Sequence, residues 1–167
     1  MNIQSIVFLT KRDIRHHGGG GDIYVHEIAK RMVKRYNVTI LTSNFPGGRN
    51  RETIDGVTVR RFSRNYTQTR AMIPLYLIRH RNEFDFVVDN VTVVPWMTPL
   101  YVSKPTTAII HQLIRELFLY ELPAPINRIA AELEPSFYSP YRNIPIVCPG
   151  GESTAETLAE VGIPREH

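Results

Sequence analysis

Short apolar runs alternate with amphipathic stretches along most of the chain. The first run, Ile3 to Leu9, is typical of a buried strand, and a glycine run separates it from a helix whose apolar residues recur every three or four positions. Later strands are predicted over residues 37–42, 56–62, 84–88, 106–110 and 144–147. Helices are predicted over about 69–81, 112–120 and 126–138, and a final helix from a capping box formed by Ser153 and Glu156.

This alternation favours an α/β fold, in which a Rossmann-like doubly wound parallel sheet is flanked by helices. Ligands of such a sheet bind at the carboxyl ends of its strands. The chain has 167 residues, which is the size of one domain with one core, so residues 1–167 are interpreted as a single domain.

Composition limits the class of protein further. Hydrophobic residues make up 43% of the chain and charged residues 22%, which indicates an ordered globular protein. The longest near-apolar run, Val91 to Val102, contains two prolines and is shorter than the roughly 20 residues of a transmembrane helix. The amino terminus lacks a secretory signal pattern, so a cytoplasmic location is predicted. A lone cysteine, Cys148, excludes an intrachain disulfide and a cysteine-based metal site, and no metal is predicted.

Basic residues are unevenly distributed. Between Val57 and Asn82 the chain has six arginines and no acidic residue. These are Arg60, Arg61, Arg64, Arg70, Arg79 and Arg81. The segment should attract anions, and two interpretations stay open: a solvated face, or contact with a phosphorylated substrate or an anionic membrane surface, at which the protein would be peripheral. No recognised nucleic-acid-binding motif accompanies these arginines, so nucleic acid is not predicted as a partner.

The glycine run lies between the first strand and the first helix, where backbone N–H groups and the helix dipole favour an anion. It consists of Gly18, Gly19, Gly20 and Gly21. A flexible turn without a ligand is the alternative. A dinucleotide site is disfavoured, because Ile23 stands where the third glycine should be and the second strand ends without a carboxylate. No cofactor is therefore predicted, and no Walker A lysine follows the glycines.

Six segments in order resemble the large retaining glycosyltransferase family 4. The segments are Gly18 to Met32, Tyr36 to Thr42, Ile54 to Phe62, Phe84 to Asn90, Thr107 to Gln112 and Glu152 to Pro164. They are similar to the family's glycine-rich loop, first helix, "VTVLT" strand and "IDGV.V.R" strand, and to the segments that follow. One departure is the run from Cys148 to Ser153, where members usually carry a Val-Ser-Glu-Ser type of sequence.

The resemblance implies a role for several residues. His111 matches the histidine that lines the active site beside the transferred sugar, and is the predicted catalytic residue. The glycines Gly18 to Gly21 would lie against the donor diphosphate. The predicted acceptor-binding residues are His17, Arg115, Glu116, Tyr120 and Glu121. Because a cleft histidine has few buried partners, the loss of His111 should cost the fold under about 1 kcal/mol.

The same resemblance implies sugar transfer, with retention of configuration, from a nucleotide-sugar donor to an acceptor glycan or lipid-linked acceptor. This chain would be the acceptor-side, N-terminal half of a GT-B fold. The C-terminal donor-binding domain, with the family's acidic E-x7-E motif, would be absent, so the chain is expected to be inactive in isolation. The alternative is a stand-alone module that binds an acceptor or a partner without activity of its own.

Overall fold

A seven-stranded sheet runs through the part of the chain that the computed structural model describes, residues 3–92, 94–113 and 123–164. The strands are β1 (Ser5–Leu9), β2 (Asn37–Thr42), β3 (Arg51–Ile54), β4 (Val57–Arg61), β5 (Phe86–Val91), β6 (Thr106–Ile110) and β7 (Ile146–Val147). Their spatial order is β3-β4-β2-β1-β5-β6-β7, and all neighbours are parallel except β3 and β4. The predicted doubly wound sheet is confirmed. Its strand order reverses between β1 and β5.

Helices cover both faces of this sheet. They are α1 (Gly20–Met32), α2 (Tyr66–Arg79), α3 (Ile126–Tyr138) and α4 (Glu152–Glu160). Side chains alternate along β1, so Ile6 and Phe8 join the core under α1, whereas Val7 and Leu9 join the core under α2. A strand buried on both faces reads as a continuous apolar run, which is why the sequence reveals β1 clearly.

A third apolar cluster joins the far side of the sheet to α3, α4 and the turn after α3. It comprises Val91, Ala108, Ile110, Tyr138, Tyr141, Leu158 and Ile163. Tyr141 also donates its hydroxyl hydrogen to the carboxylate of Asp89, which is fully buried at the end of β5. Burial raises the pKa of Asp89, and hydrogen bonds from Tyr141 and Thr98 offset part of that rise. The cluster therefore holds α3 and α4 beside the end of β5.

The predicted strand over 56–62 is half of a hairpin that sequence reasoning missed. Asp55 and Gly56, both with positive φ (51° and 83°), connect β3 to β4. Two such residues form the turn that suits a two-residue hairpin, and Asp-Gly is its typical sequence. Helix α2 begins at Tyr66, three residues before the predicted start, because the side chain of Asn65 caps it by accepting a hydrogen bond from the Gln68 N–H at 3.2 Å.

Three helices are predicted in the carboxyl-terminal half, and their outcomes differ. The capping box at Ser153 is wrong, because α4 begins at Glu152 and its N-cap is Gly151, with φ of 76°, two residues before Ser153. The helix predicted over 112–120 lies, from residue 114 onward, outside the described residues. The helix over 126–138 is confirmed to the residue.

The six arginines between Val57 and Asn82 do not share one face. Arg61 is 3% exposed, and its guanidinium contacts both Asp13, at 2.6 Å and 3.0 Å, and Glu52, at 2.6 Å. Arg70 donates hydrogen bonds to the carbonyls of Val94 and Pro95 at 2.9 Å and 2.5 Å. The guanidinium of Arg60 lies over the Tyr76 ring, 4.4 Å from its centroid. Arg64, Arg79 and Arg81 are the exposed members of the six.

We expect Arg61→Met to lower the free energy of unfolding by about 3–5 kcal/mol, because removal of one partner leaves the buried Asp13 carboxylate without its counter-charge. Urea unfolding of the chain measures this loss. The matched control, Arg64→Met, removes an exposed arginine and should change stability by less than about 0.5 kcal/mol. Equal effects of the two substitutions would contradict a structural role for the buried pair.

Candidate functional site

A cleft lies where the carboxyl ends of β1, β5 and β6 meet the first turn of α1 and the loop before α4. Its volume is about 550 Å³. The lining residues are Lys11, Arg12, Gly19, Gly20, Gly21, Asp22, Thr92, His111, Gln112, Pro149 and Gly150. The cleft therefore occupies the point where the strand order reverses, which is the usual ligand position in an open α/β sheet.

The buried amide of Asn90, at the end of β5, lies at the centre of the hydrogen bonds behind this cleft. Its Nδ2 donates to Thr10 Oγ1 at 3.2 Å and approaches the Gly21 carbonyl oxygen at 3.5 Å. Its Oδ1 lies 2.8 Å from His111 Nε2. Asn90 is 1% exposed, so each of these polar contacts replaces a lost contact with water. One side chain thus links β1, α1, β5 and β6.

These contacts determine the tautomer of His111. A carbonyl oxygen only accepts hydrogen bonds, so the NH₂ group of Asn90 must face Gly21 and its Oδ1 must face the imidazole. His111 Nε2 therefore carries a hydrogen, and in the neutral ring Nδ1 is the acceptor. Burial lowers the pKa of His111 below its ordinary value, and the Asp22 carboxylate offsets part of this shift. At neutral pH the ring is neutral, with one donor and one acceptor.

Asp22 fastens the first turn of α1 to the loop after β1. Its carboxylate accepts hydrogen bonds from the Thr10 hydroxyl and, at 3.1 Å, from the Gly19 N–H. A carboxylate in the first turn also interacts favourably with the helix dipole. Since Asp22 already engages Gly19, the N–H groups of Gly20 and Gly21 are the ones at this helix terminus that a bound anion would meet.

The four glycines serve two different purposes. A Cβ on Gly18 would lie 2.9 Å from Asp22 Cβ, and one on Gly21 would lie 2.8 Å from His111 Nε2. Both positions need glycine because protein atoms approach closely. A Cβ on Gly19 or Gly20 meets nothing within 4 Å. These two face open space, and Gly20 and Gly21 belong to α1 rather than to a loop.

The loop before α4 and the first turn of α4 both contact the main-chain carbonyl of His111. Thr154 Oγ1 donates to the His111 carbonyl at 3.1 Å, and a Cβ on Gly150 would lie 2.8 Å from that same oxygen. The glycines between Cys148 and Ser153, which depart from the Val-Ser-Glu-Ser pattern, thus allow this loop to approach the end of β6. The ring of Tyr24 contacts the other side of His111 edge-on, with centroids 5.6 Å apart.

The structure brings together some of the predicted site residues. His111 and three of the four glycines, Gly19 to Gly21, line the cleft, whereas His17 is exposed and is not among the lining residues. The remaining predicted acceptor contacts lie outside the described residues; they are Arg115, Glu116, Tyr120 and Glu121. Sequence reasoning missed Asn90, Thr10 and Asp22. Their signal was available, because each polar residue ends a buried strand or begins the helix after the glycines.

One pair of acidic residues has the E-x7-E spacing that the resemblance assigns to a second domain. Glu152 and Glu160 begin and end α4, and both are exposed. This corrects the expectation that the spacing would be missing from the chain. Glu160 lines a second, smaller depression beside His111, of about 520 Å³, together with Thr154 and Thr157.

The chain belongs to glycosyltransferase family 4, whose family model matches residues 18–167. This match includes the cleft residues from Gly19 onward. No curated protein sequence matches the chain significantly.

Two solved structures share the fold. Sucrose-phosphate synthase from Thermosynechococcus elongatus superposes with a TM-score of 0.57 at 13% identity, over 84% of this chain and 41% of that protein. HepE from Anabaena, in complex with UDP-glucose, gives 0.58 at 13% identity, over 97% of this chain and 42% of that protein. The chain thus spans about two fifths of each relative, and its fold is that of the Rossmann-like N-terminal domain of a GT-B glycosyltransferase.

Among the residues that the structure describes, no helix is long and apolar enough to cross a membrane. Nowhere in the same residues do three or more histidine, cysteine or acidic side chains come together in a group able to hold a metal ion.

Substitutions at neighbouring glycines should have opposite effects on stability. Gly21→Ala places a methyl group against His111 Nε2 and Thr92, so the His111–Asn90 hydrogen bond is displaced and unfolding becomes easier by about 1–3 kcal/mol. Gly20→Ala meets no neighbouring atom and should stabilise α1 by about 0.5–1 kcal/mol. Urea unfolding gives both values, and the imidazole NMR signals report any displacement of His111. Equal destabilisation by both substitutions would refute the assignment of Gly21 to a close-packed position and of Gly20 to open space.

Proposed function

We propose that this chain is the acceptor-side half of a glycosyltransferase that moves a sugar from a nucleoside diphosphate sugar to a glycan or lipid-linked acceptor. The observation that carries the proposal is the neutral, half-buried imidazole of His111, held in one tautomer by Asn90 beside the first turn of α1. Family membership supports sugar transfer, and the sequence resemblance supports retention of anomeric configuration.

The chemistry assigned to the cleft is positioning and charge stabilisation. His111 Nδ1 accepts a hydrogen bond from a sugar hydroxyl, and the neutral ring places no full charge beside the reacting centre. The N–H groups of Gly20 and Gly21, with the dipole of α1, face the donor diphosphate. Lys11 and Arg12 contribute positive charge to the same cleft. These groups stabilise the negative charge that develops on the leaving diphosphate.

Most donor contacts in this proposal come from a second domain across the cleft. HepE, which is in complex with UDP-glucose, is more than twice as long as the segment that this chain matches. On this chain, the donor contacts available among the described residues reduce to His111, two basic side chains and one helix terminus. None of these encloses a base or a ribose, so specificity for the nucleotide is assigned to the other half.

Titration of the isolated chain with UDP-glucose and other nucleoside diphosphate sugars should therefore give weak or undetectable binding. Isothermal calorimetry measures it. Sub-micromolar affinity, equivalent to more than about 8 kcal/mol, would mean that the donor site is complete within this chain and would refute the half-site proposal.

In the complete enzyme, comprising this chain and its donor-binding half, His111→Ala should lower turnover by about 10- to 1000-fold, the range that one positioned polar group supplies. Release of nucleoside diphosphate is the measurement. The substitution should also cost the chain about 1–3 kcal/mol of stability, because it leaves the buried Oδ1 of Asn90 without its donor. This corrects the smaller cost expected of a histidine with few buried partners.

Two variants separate loss of chemistry from loss of structure. His111→Gln retains an N–H donor for Asn90, so it should recover part of the stability without recovering turnover. His80→Ala removes a histidine at the C-terminal end of α2, where it contacts Glu83 rather than the cleft, and should leave turnover unchanged. Normal turnover of the His111→Ala enzyme would remove His111 from the proposed site.

A further inference from the structure

Helix α2 exposes apolar side chains on the face that points away from the sheet. Its inner face is formed by buried residues, among them Ile73 and Leu77. On the opposite face Met72, Leu75 and Ile78 are 44%, 67% and 50% exposed. Residues three apart lie on the same side of a helix. We refer to these three residues as the outer stripe of α2, which is apolar where a surface helix is normally polar.

The charges around the outer stripe are predominantly positive. Arg79 lies in the last turn of α2, Arg81 follows the helix and Arg64 precedes it, and all three are exposed. The helix itself has no acidic residue. Glu83, the nearby exposed acid, lies 2.7 Å from His80 Nδ1, and its pKa is lowered by the hydrogen bond from that histidine. Glu83 is therefore already engaged, and the arginines dominate the charge around the stripe.

A small groove of about 90 Å³ opens beside the C-terminal end of the outer stripe. Its walls include the apolar side chains of Leu77, Phe84 and Val102, and it is also lined by the basic residues Arg81 and Lys104. The groove thus extends the combination of apolar and basic groups found along α2.

Helix α3 shows that exposed apolar residues alone do not produce this combination. Ile126, Ile129 and Leu133 are 56%, 52% and 50% exposed, which is similar to the outer stripe of α2. Within α3 itself the exposed charged residues are Arg128 and Glu132, one of each sign, whereas within α2 itself the exposed charged residue is Arg79. Charge complementarity therefore distinguishes α2 from α3 as a surface for an anionic partner.

We propose that the outer stripe of α2 docks on an anionic lipid surface. Met72, Leu75 and Ile78 enter the boundary between headgroups and acyl chains, and the exposed arginines face the lipid phosphates. The attraction is thus assigned to the exposed Arg64, Arg79 and Arg81, because Arg61, Arg60 and Arg70 are held by contacts within the protein. This binding is independent of sugar transfer, so it stands whether or not the proposed enzymatic function is correct.

The test is co-sedimentation of the full chain with vesicles of phosphatidylcholine alone and of phosphatidylcholine with phosphatidylglycerol. Binding should favour the anionic vesicles and weaken as salt rises, since exposed charges are screened within about 8 Å at physiological ionic strength. Leu75→Gln with Ile78→Gln should lower partition onto anionic vesicles about tenfold or more, because two apolar side chains no longer insert. Arg79→Gln with Arg81→Gln should lower binding to the anionic vesicles and leave binding to the phosphatidylcholine vesicles unchanged.

The matched control is Ile129→Gln with Leu133→Gln on α3, which removes equally exposed apolar groups and should leave partition unchanged. All the substituted side chains are exposed, and thermal unfolding verifies that each variant is folded. Equal partition onto both vesicles, or a larger loss from the α3 variant than from the α2 variant, would overturn the proposal. So would a change in sedimenting mass caused by the α2 variant in the absence of lipid, which would identify the stripe as an interface between copies of the chain.

Discussion

The arrangement of the cleft depends on one buried side-chain amide. Asn90 presents a donor side to Thr10 and Gly21 and an acceptor side to His111, and it is almost fully shielded from solvent. An amide cannot exchange these two sides without leaving buried groups unsatisfied, which costs more than one hydrogen bond contributes when it forms. This requirement ties the first turn of α1 and the residue after β1 to the end of β5, and it fixes the orientation and the tautomer of the His111 ring.

Other segments near the same edge of the sheet are anchored by buried acidic side chains as well as by apolar packing. The Asp13 carboxylate, in the loop that leads from β1 to the glycines, contacts the guanidinium of Arg61 on β4. The Asp89 carboxylate accepts hydrogen bonds from Thr98 and Tyr141, which come from segments far apart in the chain. Polar anchors of this kind are directional, so they add a defined orientation to segments that the apolar clusters also hold. The proposed chemistry relies on that positioning.

The two proposals assign separate surfaces of the domain to separate tasks. The cleft at the carboxyl ends of β1, β5 and β6 is assigned to the sugar and diphosphate, and the outer stripe of α2 to a lipid surface. α2 packs on one face of the sheet, whereas the cleft lies at one edge. A lipid-linked acceptor would connect these tasks, because the membrane that holds the acceptor would also hold the enzyme.

Local pattern in the sequence determined the elements of this protein, and through them the class of fold. Strand β1 is an apolar run, β2 and β6 are rich in β-branched residues, and α1 has helical periodicity, so each element can be predicted from a few consecutive residues. The Asp55–Gly56 turn is an equally local signal, and it marks the hairpin of β3 and β4. Topology then placed His111 at the ligand edge of the sheet, since the end of a parallel strand has a predictable position.

Only the tertiary structure decided which residues meet across the chain. Asn90 is 80 residues from Thr10, and Arg61 is 48 residues from Asp13, so no local pattern relates them. The six arginines between Val57 and Asn82 appeared to form one basic segment, yet burial and ion pairing removed Arg61 from the surface. Likewise, four identical glycines divided into two that permit close packing and two that face open space. Composition and spacing record residue types, whereas burial and hydrogen-bond partners exist only once distant segments are packed together.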